Sequence, residues 1–169
     1  MDSDSRSSAV VIERTCQDDD WQLPDEHIIE KIAEKVLTAA KWDRLCTISM
    51  LFTNDASIQA LNKLYREKDK PTNVLSFPGY DADLLRIFPR TEHIPLGDII
   101  FARETIHAEA LNQHKSFDHH FTHLFVHGLL HLLGFDHEHE ADAVLMEQFE
   151  IDILASLSIP NPYEVIESL

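Results

Sequence analysis

Residues 127 to 137 read HGLLHLLGFDH, an H-x-x-x-H-x-x-G-x-x-H array that places three imidazoles where one metal ion could collect them. His127 and His131 are four apart, so on a helix both rings face the same side, one turn above the other. Gly134 can take a left-handed helix end and let the chain turn back, and His137, three residues on, can return as a third ligand. Two ring nitrogens from one helix face and a third from the returning loop leave a tetrahedral ion with an open position, an arrangement for chemistry rather than scaffolding. An i,i+4 His pair alone is as readily a core feature; the glycine and the third His set this array apart. Leu129, Leu130, Leu132 and Leu133 make the helix apolar around most of its girth, which buries it, and a buried imidazole needs a partner or a metal. Three imidazoles favour zinc over magnesium without fixing which metal is bound.

The spacing matches the long zinc-protease array H-E-x-x-H-x-x-G-x-x-H at each His and at the glycine, and fails at one residue. Where those proteases carry a glutamate as general base, this chain has Gly128. Peptide hydrolysis needs that base, or a replacement, to take the proton and pass it to the leaving amine.

Other groups crowd the array. His119, His123, His127 and His131 recur every four residues, so His123 lies one turn below the first ligand, as a partner of a ligand, a substrate contact or a histidine bonded to a neighbour. Asp136 could orient a ligand imidazole or simply cap the loop. Glu138, His139 and Glu140 read as the solvated start of a final helix, and His107, His114 and His120 have no metal-ligand spacing.

The elements that must position these groups follow from pattern. The polar residues 1 to 8 read as a flexible extension, with residues 9 to 169 forming one domain, long enough for a core without disulfides. Ala9 to Ile12 suits a short strand. An amphipathic helix is expected from about Pro24 to Ala40 with Ile28, Ile32, Val36 and Ala40 on one face. Leu45 to Phe52 reads as a strand, and Asn54 or Asp55 caps a helix carrying Ile58, Leu61 and Tyr65 inward. Asn73 to Phe77 is a short buried strand, residues 80 to 95 a loop or edge hairpin, and Leu96 to Phe101 a further strand. Helices follow at about Arg103 to Gln113, Phe117 to Leu133 with Ser116 as cap, and Glu140 to Leu157 with Leu145, Phe149, Ile153 and Leu157 inward. This order points to the α+β class: a small mixed sheet of about four strands packed with several helices, the metal site at a helix-to-loop end, an α/β arrangement being the alternative.

The chain is acidic, with a formal charge of −16, which taken alone argues against a nucleic-acid partner. The distribution is uneven. Residues 104 to 169 hold twelve acids against Lys115, whereas residues 57 to 90 hold Lys63, Arg66, Lys68, Lys70, Arg86 and Arg90 against four acids. Cys16 and Cys46 form no C-x-x-C pair, no secretory h-region opens the chain, and no apolar run of about 18 residues occurs, so a reducing, cytoplasmic protein without a membrane span is expected.

Two segments, LNKLYREKDKPTNVLSFP at 61 to 78 and LGDIIF at 96 to 101 leading to HGLLHLLGFDH, resemble the YbeY family of bacterial ribosomal-RNA maturation endoribonucleases, and the likeness covers nearly all of the chain beyond the extension. The resemblance implies a single zinc held by His127, His131 and His137, and a catalytic or substrate-binding arginine at Arg66. It implies metal-dependent cleavage of single-stranded RNA in small-subunit rRNA 3′-end maturation and ribosome quality control, with ribosomal RNA and the small subunit or its assembly factors as partners. A guanidinium forks onto phosphate with two hydrogen bonds, which suits Arg66; the alternative for that residue is a surface ion pair with Asp69 or Asp83. Two further readings stay open, a zinc hydrolase with a metallopeptidase-like site and a non-catalytic ribosome assembly factor whose metal is structural.

Overall fold

Alternation of apolar residues along β-branched and aromatic segments builds a four-stranded sheet, and each intervening amphipathic segment folds as a helix onto it. The computed structural model describes residues 10–89, 91–136 and 138–164, so the expected extension at 1 to 8, Arg90 and His137 lie outside the described residues. The elements run β1 (Val10–Cys16), α1 (Glu26–Ala39), β2 (Cys46–Thr53), α2 (Asp55–Arg66), β3 (Val74–Pro78), α3 (Ala82–Ile87), β4 (Ile94–Ala102), α4 (Arg103–Asn112), α5 (Phe117–Leu132) and α6 (Glu140–Ser156). The sheet order is β1-β2-β4-β3, with β1, β2 and β4 parallel and β3 antiparallel to β4. The fold is the expected α+β class with a mixed sheet.

Successive residues of β4 face opposite sides. Ile99 and Phe101 enter the main core with Phe52, Phe121 and Phe125, and Ile100 and Ala102 enter a smaller cluster with Ile58 of α2 and Leu75 of β3. Helix α5 therefore lies on one face, against β3 and β4 and between α1 and α6, while α2 covers the other. Each fully buried Phe of the main core contributes roughly 1.5–3 kcal/mol of apolar transfer free energy.

Local signals are realised as atoms. Asn54, not Asp55, caps α2 by accepting from Ser57 N–H at 2.9 Å. The Asp55 side chain instead accepts from Thr105 Oγ1 at 2.7 Å, joining α2 to α4. Ser116 caps α5, accepting from His119 N–H at 3.1 Å. At the other end of α5, Gly134 N–H donates to the His131 carbonyl at 3.0 Å and Phe135 N–H to that of Leu130 at 3.1 Å, with Gly134 at φ 100°. That pair of bonds is a Schellman end, and it turns the chain back as the glycine predicts.

Several inward faces differ from the expectation. In α1 the buried set is Ile29, Ile32, Ala33, Val36 and Leu37, and Ile28 is 55% exposed. In α2, Ile58 and Asn62 are buried while Tyr65 is 63% exposed, because Asn62 turns inward to donate to the Lys70 carbonyl at 2.9 Å and shape the loop before β3. In α6 the buried residues are Met146, Glu150, Ile153 and Leu154, and Leu145 is exposed. Residues 82–87 of the expected loop or hairpin form the short helix α3, capped by Asp81 through Leu84 N–H at 2.8 Å. The first strand runs four residues beyond Ile12, paired in register with β2. Cys16 and Cys46 are both free thiols.

Glu109 ties α4 to α5 and to the loop before β3, accepting from His120 Nε2 at 2.8 Å and Asn73 Nδ2 at 2.9 Å. Burial pushes its carboxyl up, but those two bonds and the electrostatic attraction of His120 and His123 outweigh it and hold it below its ordinary value. A carboxyl lower in the folded than the unfolded chain adds stability above the unfolded pKa and loses it as pH falls through the folded one. Glu109→Gln should therefore lower the urea midpoint near neutral pH, with the gap to the parent closing below about pH 4. A gap that stayed constant into acid would contradict the assignment.

Candidate functional site

The i,i+4 spacing on α5 brings His127 and His131 together as expected, their Nε2 atoms 3.1 Å apart and their rings at 81° with centroids 4.6 Å apart. His137, the third member of the array, lies outside the described residues. Among the described residues no group of three or more His, Cys, Asp or Glu side chains is arranged to hold a metal ion. The pair itself suits a metal, since two nitrogens at about 2.0–2.1 Å from a tetrahedral zinc stand about 3.3 Å apart.

Beneath the pair sits a residue that sequence reasoning missed. Glu150, on the buried stripe of α6, is fully buried, and its Oε1 accepts from His123 Nε2 at 2.8 Å, His127 Nδ1 at 3.2 Å and the Tyr163 hydroxyl at 3.0 Å. Burial by itself raises this carboxyl, but the hydrogen bonds and electrostatic attraction of His123 and His127 outweigh it, leaving it at about 2. An ionised carboxylate only accepts, so both rings present an N–H to it. Burial, with the adjacent Glu150 carboxylate, pushes the Tyr163 phenol up and keeps it a donor. The signal in the sequence was an acid in an otherwise apolar series, Met146, Glu150, Ile153 and Leu154, which a reading by leucine spacing passed over.

Arg66, the last residue of α2, reaches round the edge strand β3. Its Nη2 donates to the Ser76 carbonyl at 3.1 Å, and its guanidinium carbon lies 5.9 Å from the centre of the Phe77 ring. The alternative ion pairs are taken by other cations: Asp69 lies 3.8 Å from Lys63, and Asp83 3.9 Å from Arg86. Arg66, Lys68 and Lys70 share one groove, of about 590 Å³, with His123, His127 and His131 of α5, and Asp136, Glu138 and Tyr163 also line it. The cationic segment and the histidine pair thus line one groove. Asp136 caps the loop, accepting from Glu138 N–H at 3.2 Å. His120 is buried against Glu109, and His107, His114 and His119 are exposed.

Gly128 does not face the groove. A Cβ there would stand 2.9 Å from Ser76 Oγ and 3.0 Å from Ile99 Cγ2, and the Ser76 hydroxyl donates to the Gly128 carbonyl at 3.1 Å. The position occupied by the protease glutamate is here the contact between α5 and the sheet.

An α+β protein with paired helical imidazoles opposite a cationic loop is the class that fold and groove define. The family model described as Endoribonuclease YbeY matches residues 13–158, and the chain belongs to that family. The Endoribonuclease YbeY of Chelativorans sp. (strain BNC1) is 44% identical over 167 residues, covering 96% of this chain and 99% of that protein. That of Azorhizobium caulinodans is 47% identical over 152 residues, covering 87% and 92%. The solution structure of TM1509 from Thermotoga maritima superposes with a TM-score of 0.55 at 20% identity, covering 94% of this chain and 100% of that one, a likeness of fold.

Packing at position 128 has a measurable consequence. Gly128→Ala should be destabilised in urea, with overpacking of about 1–3 kcal/mol set against a helix-propensity gain of about 1 kcal/mol. Gly128→Glu, which restores the protease residue, should lose the native fold rather than acquire peptidase activity. A stable Gly128→Glu protein would show that the contact is not tight.

Proposed function

We propose that this chain is a zinc-dependent endoribonuclease specific for single-stranded RNA, acting in small-subunit rRNA 3′-end maturation and ribosome quality control. His127, His131 and His137 hold one zinc ion, and Arg66 holds the phosphate. The observation that carries this reading is the shared groove, which sets Arg66, Lys68 and Lys70 opposite the histidine pair; membership of a family whose relatives bear the name Endoribonuclease YbeY supports it.

Zinc, when bound, supplies a Lewis acid against a phosphate oxygen. Arg66 does the positioning. Its bond to the Ser76 carbonyl and the Phe77 ring beside it hold the guanidinium plane, leaving the rest of the fork to grip a phosphate with paired hydrogen bonds. Lys68 and Lys70 continue the positive track along an RNA backbone. At −16 overall, long-range steering toward RNA is weak, so binding is local and assisted by the ribosomal small subunit or its assembly factors. The chain works in the cytoplasm; among the described residues no helix is long and apolar enough to cross a membrane. A peptidase reading lacks its base, because position 128 is packed on the sheet.

Arg66→Ala should abolish cleavage of single-stranded ribosomal RNA while zinc stays near one per chain, and His131→Ala should lose both. Cleavage by Arg66→Ala at the parent rate, with both proteins purified alongside to expose contaminating nuclease, would remove Arg66 from the mechanism. With Arg66, Lys68 and Lys70 each meeting one phosphate, log affinity should fall against log salt with a slope of about −2, and replacing both lysines by alanine should flatten it to about −0.7. A slope unchanged in the double variant would place the RNA elsewhere.

A further inference from the structure

We propose that Glu150 is a positioning residue for His127: it fixes the ring's tautomer and rotation so that Nε2 presents its lone pair beside His131, and it sets the affinity for zinc. The proposal rests on the reading of His127 as a zinc ligand.

Three features of the structure lead to it. Glu150 is the one buried carboxylate among the described residues, and a buried charge on an apolar helix stripe is costly unless its partners repay desolvation. All its donors converge on one oxygen, Oε1, from α5 through His123 and His127 and from the segment after α6 through Tyr163. The third feature is which nitrogen it takes. Glu150 accepts from His127 Nδ1, and neutral imidazole carries one proton, so Nε2 is left as the acceptor, facing His131 Nε2 at 3.1 Å. A carboxylate behind a ligand imidazole raises its basicity and restrains its rotation. Tyr163 and His123 brace the same oxygen, the tyrosine ring standing edge-on to that of His123 with centroids 5.5 Å apart. These contacts hold Oε1 between α5 and the segment after α6.

The test uses the full chain, stripped of metal and titrated with zinc against a chromogenic chelator. Glu150→Gln, nearly isosteric, should bind zinc about 10- to 100-fold more weakly while its metal-free circular dichroism matches the parent, and affinity within about twofold of the parent would overturn the proposal. Should that variant fail to fold, the zinc-loaded parent decides by a long-range ¹H–¹⁵N spectrum of the imidazoles. His127 protonated at Nδ1 and bare at Nε2 is expected, and the opposite tautomer overturns the assignment. A parent that binds no zinc refutes the metal reading itself, and this inference with it; a parent that binds zinc beside an unaffected Glu150→Gln refutes this inference alone.

Discussion

Helix α5 lies directly on the sheet at Gly128, where only a residue without a Cβ fits between Ser76 and Ile99. That contact fixes the rotation of the helix, and most of the site follows from it. With position 128 against β3 and β4, the residue before it is turned about 100° away, so His123, His127 and His131 form a row along the rim. The same rotation aims the inner edge of the row at α6, where Glu150 waits. The Schellman end at Gly134 then stops the helix one turn after His131 and sends the chain back past the groove.

The second wall depends on β3 being an edge strand. Its outer carbonyls are not taken by a fifth strand, so the Ser76 carbonyl is open to Arg66, and α2 on the far face can deliver a guanidinium to the near one. Antiparallel pairing with β4 sets Ser76 toward α5 and Phe77 toward α2. One short strand thereby supports both Gly128 and Arg66. Asn62 and Asn73 hold the intervening loop, through the Lys70 carbonyl and Glu109 respectively, and so place Lys68 and Lys70.

Features set by local periodicity or by a single backbone requirement were legible in the sequence. The His127–His131 pair, the Ser116 cap, the turn at Gly134 and the α+β order of elements all belong to this kind. Features set by tertiary contact were not. Whether Glu150 is a solvated acid or a buried one depends on which stripe of α6 meets α5; the expected series holds at Ile153, with Phe149 and Leu157 packed on the core, but it took in the exposed Leu145 and left out Met146, Glu150 and Leu154. Gly128 read as a lost base, whereas its cause is steric and lies on the sheet. The region 80 to 95 combines two prolines with a six-residue helix too short to leave a periodic signal. Arg66 could be matched to a family pattern, but its path round the edge of β3 exists only in three dimensions.

Charge and site are reconciled by the same geometry. Although the chain is acidic overall, Arg66, Lys68 and Lys70 give the groove a positive wall, and the imidazole pair lines the same groove. On the proposed reading, one zinc ion on this histidine array makes the groove a nuclease. Its most direct test is stepwise return of zinc to chelator-stripped protein while cleavage of a single-stranded fragment from the 3′ end of small-subunit ribosomal RNA is followed. Activity should rise in proportion to zinc and reach its plateau at one ion per chain; full cleavage by the stripped protein, or none at one ion per chain, would show that zinc on this array is not what makes the groove a nuclease.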